Sequence, residues 1–485
     1  MASFAGESQM YRQPAVKARP IAEALEARRL LASTFYVSPR GNDANAGNDA
    51  HHAWRHVQQA MNAATPGSTV LVLAGTYNEK LTVNVSGNAT DGFITFQASG
   101  HVIINGRGIA GPDIINLNNQ NYVQIIGFNI ENDLNVSDGS GIRMNGDDDH
   151  VNLLNNVVHN ITGINAMGIT AYGTDPVAGI SNLVIDGNQI FNCQPANSEA
   201  LTLNGNVSNF QVENNYVHDV NNIGIDFIGG EGMSPNPATD VARNGEVSGN
   251  RVTRAHRAGD GTDAAGIFVD GAQNVIVERN TCWANDVGIE VNAVASGATA
   301  TGIVVRDNNV YLNWGPGISI GASQQTDGIV SGCQVLNNTL FHDETKHGGD
   351  GELRLQFGSG NLIENNLVDA ARGTILLDGQ FGSANDVSNF NLFFAPGTPG
   401  SATFEWDGFT YNGLPALQAA VSQDGNSIFA NPVLLTFGPK PRLSPRSPAI
   451  NAGDPNFVPA AGETDFLGHA RLLGGRVDIG AVEVA

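Results

Sequence analysis

A phrase built on asparagine returns along this chain roughly every thirty residues. It reads Leu154-Asn155-Asn156-Val157-Val158, then Asp186-Gly187-Asn188-Gln189-Ile190, then Glu213-Asn214-Asn215-Tyr216-Val217. It continues at Asn250, Asn280, Asn308, Asn338 and Asn366, so the steps from Asn156 are 32, 27, 35, 30, 28, 30 and 28 residues. A second phrase falls inside the intervals, at Gly168-Ile169, Gly224-Ile225, Gly266-Ile267, Gly288-Ile289 and Gly317-Ile318. Both phrases open short runs that alternate apolar and polar, separated by Gly, Asn and Asp, which is the pattern of strand–turn–strand. A unit this short cannot bury its own apolar face, so neighbours must stack. Helical spacing is missing from the repeats. The expected fold is all-β: a right-handed parallel β-helix, a solenoid of about nine or ten coils.

A solenoid grows along one axis, so 485 residues need not divide into several globular domains. The 59 glycines and a hydrophobic fraction of 41% suit a narrow continuous core. A net charge of -23 argues against nucleic acid or anionic membrane as partner, and a polyanionic ligand would need cations or a local basic patch. Cys193, Cys282 and Cys333 have neither zinc-site spacing nor a disulfide framework and read as small apolar core residues. No apolar run reaches the ~18 residues of a membrane span. The repeated Asn reads as a corner ladder that hydrogen-bonds from coil to coil, a structural feature. A monomer is expected.

Four regions are expected. Residues 1–33 are a polar tail containing Leu25-Glu26-Ala27-Arg28-Arg29-Leu30-Leu31-Ala32. Residues 34–100 hold a strand, a Gly/Asn loop, a helix with Trp54, Val57 and Met61 on one face, and a further strand. The solenoid follows over 101–395, and 396–485 forms a C-terminal cap. The tail resembles the Leu-Glu-Pro-Arg-x-Leu-Leu signature of certain bacterial surface proteins, with Ala27 in place of Pro. The second block resembles the N-terminal module of secreted parallel β-helix proteins, including the family nine pectate lyases. The end, from Ser447-Pro448-Ala449-Ile450-Asn451-Ala452-Gly453-Asp454 to Val477-Asp478-Ile479-Gly480, resembles the module called choice-of-anchor Q. These resemblances imply an extracellular or cell-surface location, and they imply that the last module covers the final coil.

Alternation points the Ile of each Gly-Ile phrase inward and leaves an outward column of Arg143, Thr170, Thr202, Asp226, Phe268, Glu290, Ser319, Arg354 and Leu376. A parallel column holds Asn145, Tyr172, Asn204, Ile228, Asp270, Asn292, Gln356 and Asp378. Two connections are long, one running from Thr253 to Asp263 and the other from Phe341 to Asp350. They lie three coils apart, ~14 Å at ~4.8 Å per coil, and are expected to flank a cleft. Its floor would carry Glu290, Asn292 and Ser319, with Trp283 and Trp314 nearby: hydrogen-bonding groups and ring faces suited to a sugar chain.

Lys346 is the only lysine between Lys80 and Lys440. Lys346, Arg354 and His256 are the candidates for base or carboxylate clamp in β-elimination from an acidic, uronate-containing polysaccharide. Calcium would be held by Asp226 and Asp270, with Glu290, or by Asp260 and Asp263. Gly224-Ile225-Asp226-Phe227 is similar to the ligand strand of the family nine lyases, whose resemblance implies Asp ligands on successive coils and a lysine base a coil or so later. The sequence departs from that pattern: no paired Asp stands there, and no lysine follows before Lys346. Two other functions remain on the same scaffold. Asp226 and Glu290, in one column two coils apart at ~10 Å with Asp270 between them, offer a carboxylate pair for glycoside hydrolysis, epimerisation being possible on the same fold, and the ridges suit glycan binding without turnover.

Overall fold

The computed structural model describes residues 33–258, 263–346, 348–381 and 385–484. The signature at 25–32 and Asp260 lie outside them. Within them the chain winds as a parallel β-solenoid. A full coil is three strands joined by turns, as in Val207–Glu213, Tyr216–Val220 and Ile225–Ile228. The third strand of each coil enters a 13-stranded sheet, while the other two faces of the coils form one 27-stranded array. In the smaller sheet twelve strands run parallel, from Leu81–Thr82 to Thr403–Trp406, before Phe409–Asn412 turns back antiparallel. Twelve coils exceed the nine or ten expected because the outermost strands carry neither repeated phrase.

Each phrase has a physical cause. The side chains of Asn156, Asn188, Asn215, Asn250, Asn280, Asn308, Asn338, Asn366 and Asn391 are buried one above another. Asn250 Nδ2 donates to Asn280 Oδ1 at 3.0 Å, and Asn280 Nδ2 donates to Asn308 Oδ1 at 3.0 Å. The same Asn280 Oδ1 accepts the Asn250 backbone N–H, and Asn280 Nδ2 also reaches the Val247 carbonyl. The residue before the ladder Asn takes a left-handed φ, +54° at Asn155 and +53° at Asn214, so Asn or Gly recurs there. In the second phrase, a Cβ at Gly168, Gly224 or Gly288 would press against Ile190, Val252 or Val310 and against a carbonyl of the next coil.

The first coil is closed by the helix Val57–Ala63. Val57, Ala60 and Met61 join the same core cluster as Val70 and Phe96. The Glu79 carboxylate accepts the N–H groups of Val57 and Gln58, satisfying donors at the helix start. The other end is closed by the hairpin Thr403–Trp406/Phe409–Asn412 and the helix Leu414–Ala420, with Phe404, Trp406, Leu414 and Leu417 in the core.

Past this closure the chain does something the sequence reading did not anticipate. Instead of covering the last coil, residues 430–484 run back along the flank of the solenoid. Gly480 donates to the Asn365 carbonyl, Ala481 to Thr339 Oγ1, and Arg306 pairs with Glu463 at 2.7 Å. Arg471 is fully buried, 3.1 Å from Asp307 and 3.3 Å from Glu483. Leu367, Leu392, Leu443, Ala449, Ile479 and Val482 form a second apolar cluster beneath this arm.

Candidate active site

Strand register fixes which side chains share the outer face of the 13-stranded sheet. Arg143 pairs with Thr170, Thr170 with Thr202, Thr202 with Asp226, and Asp226 with Phe268. The column continues through Glu290, Ser319 and Arg354. It then reaches Asp378 and not the expected Leu376, because Leu376 turns into the core. Beside it, Tyr172 pairs with Asn204, Asn204 with Ile228, and Asp270 with Asn292.

Carboxylates gather at the middle of this face. Asp226, Asp270 and Glu290 come from neighbouring coils. Glu199, from the turn before strand Leu201–Gly205, accepts from Thr202 Oγ1 at 2.7 Å, and Glu231 accepts from Asn204 Nδ2 at 2.9 Å. Glu231 stands on a long excursion between Ile228 and Ala242, folded around Asp240, whose carboxylate accepts from Gly232 at 2.6 Å and Ser234 at 2.8 Å. Crowding raises proton affinities. Burial, then the charges of Glu199, Asp270 and Glu231, hold Asp226 well above the usual carboxylate range. Burial pushes Glu199 up to about 7 and Asp270 up to about 7. Burial also raises Glu290, against the opposing pull of Arg354.

A cavity of about 470 Å³ opens on this face, with Phe268, Glu290 and Asn292 in its wall together with Asp327 and the Arg257–Asp263 ion pair. Asn292 Nδ2 donates to Glu290 Oε1 at 3.2 Å and to Ser323 Oγ at 2.7 Å. The Val294 backbone N–H donates to Asp270 Oδ1 at 2.7 Å. Ser319 is buried, and its hydroxyl accepts from Arg354 Nε at 3.1 Å; Arg354 also pairs with Asp350 at 3.0 Å.

The two long connections leave the same edge, separated by the registers Thr253–Trp283, Trp283–Tyr311 and Tyr311–Phe341. They do not border an open cleft between them. Both fold onto Trp314: His256 stacks on it with centroids 3.7 Å apart, and Lys346 Nζ lies 3.2 Å from a ring centroid. That indole is therefore taken up by protein contacts, and Lys346 is spent on it. His256 is also tied to Asp286 at 2.8 Å, and Asp286 Oδ2 accepts the backbone N–H groups of Arg257 and Ala264, pinning the base of the loop. Trp283 faces out from the neighbouring sheet, stacked with Tyr311 at 5.9 Å and under Arg251, and it does not line the cavity.

Of the residues expected from sequence, the structure thus unites Glu290, Asn292, Asp226 and Asp270 on one face, with Ser319 and Arg354 at its edge. Lys346, His256, Trp314 and Trp283 belong elsewhere. Asp263 is drawn to Arg257, and among the described residues no group of three His, Cys, Asp or Glu side chains is placed to hold a metal ion. Sequence reasoning missed Glu199, Glu231 and Asp286. The length of the 229–241 excursion was the one signal that pointed to Glu231.

Comparison with known proteins places this arrangement in context. Residues 238–340 match the family described as "Right handed beta helix region". The chain is 33% identical over 419 residues to the uncharacterized protein YwoF of Bacillus subtilis (strain 168), covering 82% of this chain and 88% of YwoF. The chain belongs to the same family as YwoF. The PL6 family alginate lyase AlyGC superposes with a TM-score of 0.50 at 14% identity, over 77% of this chain and 49% of that enzyme. Pectate lyase Pel9A gives a TM-score of 0.48 at 16% identity, over 93% and 96%. At such identities the likeness concerns the fold: the YwoF relative described here is a right-handed parallel β-helix. Among its described residues no helix is long and apolar enough to cross a membrane.

Proposed function

We propose that the protein is carbohydrate-active, holding a glycan along the outer face of the 13-stranded sheet and cleaving it by acid–base hydrolysis. The observation that carries this reading is that Asp270 and Glu290 stand on adjacent coils, Glu290 in the wall of the cavity and Asp270 accepting from the Val294 N–H, a residue that also lines it. By register they are one coil and two residues apart, so their backbone positions are separated by ~8 Å from strand spacing alone. Side chains leaving one face from that spacing can set their carboxyl groups at the roughly 6.5–9.5 Å where one protonates the leaving oxygen and the other activates a water. Asp270, pushed up to about 7, retains the proton a general acid needs, and Glu290, nearer Arg354, is the base. Water adds across the glycosidic bond and a new reducing end forms. Phe268, between Asp226 and Glu290 in one column, stands in the cavity wall where a sugar face can meet its ring.

Elimination from an uronate polymer is the second reading, since Arg354 stands at the edge of the face. It lacks a base from Lys346, which lies against Trp314. AlyGC and Pel9A are named as lyases of alginate and pectate, and their shared coil supports the polysaccharide class only. The reading also supports action outside the cell or at its surface, where such polymers are met.

The test is a panel of neutral, amino and acidic polysaccharides, with and without Ca²⁺, scored for new reducing ends and for ultraviolet absorbance of unsaturated uronates. Reducing ends without absorbance are expected. Products that absorb would replace hydrolysis by elimination, and binding without turnover would leave a glycan-binding protein.

A further inference from the structure

The charge facing the trough limits what can lie in it, given the reading above of this face as a glycan site. Glu199, Asp226, Glu231, Asp270 and Glu290 gather on four neighbouring coils, with Asp327 also in the cavity wall. The guanidinium groups around them are already drawn to other carboxylates: Arg143 to Asp113 and Asp138, Arg257 to Asp263, and Arg354 to Asp350. An uronate carboxylate would enter against this surplus of like charge. A neutral sugar would leave the surplus in place.

A second, independent observation lies at the Glu199 end. Asp226 is 2% exposed and its Oδ1 has no hydrogen-bond donor among the protein atoms; Asn204 is 4% exposed and its Oδ1 likewise has none. The Asn204 amide cannot turn to relieve this, because its Nδ2 donates to Glu231. Two buried acceptors beside several carboxylates suit a ligand that brings both donors and a positive charge. A hydroxyl supplies a donor and no charge. A divalent cation supplies charge, but no three acidic side chains among the described residues are gathered to hold one. An ammonium group supplies three donors and one charge.

We propose that the trough takes a glycan bearing free amino groups, with one ammonium held by Asp226 Oδ1 and the Asn204 carbonyl oxygen, beside Glu199 and Glu231. This subsite is one to three coils from the Asp270–Glu290 pair, ~5–14 Å from the coil spacing, so the amine belongs to a sugar near the cleaved bond. Acetylation of the amine removes the charge and two of its donors, and so removes what the subsite recognises.

The test is calorimetric titration of the full chain with three hexamers: β-1,4-linked glucosamine, its fully N-acetylated form, and oligogalacturonate with and without Ca²⁺. The glucosamine hexamer is expected to bind at least tenfold tighter than the acetylated one. In the double variant Glu199→Gln/Asp226→Asn that preference falls to within threefold, while a circular dichroism spectrum unchanged from wild type confirms folding. A preference that survives in the double variant is general attraction to an acidic protein and overturns the proposal. Equal or tighter binding of the acetylated or uronate hexamer, lost in Glu290→Gln, overturns the amine subsite and leaves the glycan trough standing. If none of the hexamers binds, the amine subsite and the glycan reading of the trough both fall.

Discussion

The asparagine ladder and the acidic trough sit at different corners of the same coils, and both stack polar side chains at the spacing of strands. An amide carries a donor and an acceptor, so one rung completes the next, as Asn250, Asn280 and Asn308 do. A carboxylate offers only acceptors unless it takes up a proton. Burial therefore raises the proton affinity of Glu199, Asp226 and Asp270, neighbouring carboxylates add to it, and Asp226 is left with an oxygen no protein donor reaches. Nine stacked amides need nothing from outside, whereas the stacked acids require a proton or a cation. Repetition of one polar residue makes structure in the first case and a reactive surface in the second.

The sharpest way to break this comparison is to treat the trough as though it were structural. Asp270→Asn and Glu290→Gln are each expected to lower the cleavage rate about 10³-fold, or about 4 kcal/mol of barrier, with the fold unchanged. Initial rates on the best substrate of the panel check this, and a loss below tenfold for both would remove the pair from the chemistry. Next in size is a break in the ladder. Asn280→Ala strands the Asn250 backbone N–H and the Val247 carbonyl in the interior, at a cost of about 3 kcal/mol. Asn280→Asp should cost as much, because an acceptor would then face Asn308 Oδ1; urea unfolding measures both.

A smaller effect has a distinctive sign. Asp270 moves from a reference value of 3.8 to about 7 on folding, so the folded chain keeps a proton that the unfolded chain releases within that window. Its contribution is complete below pH 4 and declines as pH rises toward 7. Asp270→Asn should therefore match wild-type stability at pH 4 and exceed it at pH 8. A variant that is equally stable or weaker at pH 8 would contradict the raised affinity. The smallest effect belongs to Lys346, which is in neither stack. Lys346→Ala removes a cation–π contact with Trp314 and should cost under about 1 kcal/mol, with cleavage within a few-fold of wild type. A thousandfold loss would return the lysine to the role of base.

The site was legible in sequence only where strand register governs it. Asp226, Asp270, Glu290 and Asn292 were placed on one face by counting outward positions from each Gly-Ile phrase, and register keeps them there. Leu376 shows how that count drifts: the bulge between Ile375 and Leu377 shifts the column to Asp378. Residues on turns escaped it altogether. Glu199 and Glu231 reach the trough from connections whose path is set by local carboxylate–backbone bonds such as those of Asp240, and Lys346 is claimed by an indole on another coil.

The sequence by itself determined the solenoid. A thirty-residue period, an amide able to bond to its own copy and a glycine where coils press together are local requirements, repeated until they specify one stacking. What tertiary structure alone decided lies off that period: the arm at 430–484 that returns along the flank and buries Arg471 against Asp307, and the gathering of five carboxylates from strands and turns on one face. Such contacts join residues separated by no fixed interval, so their energies appear only once the coils have brought the chain together.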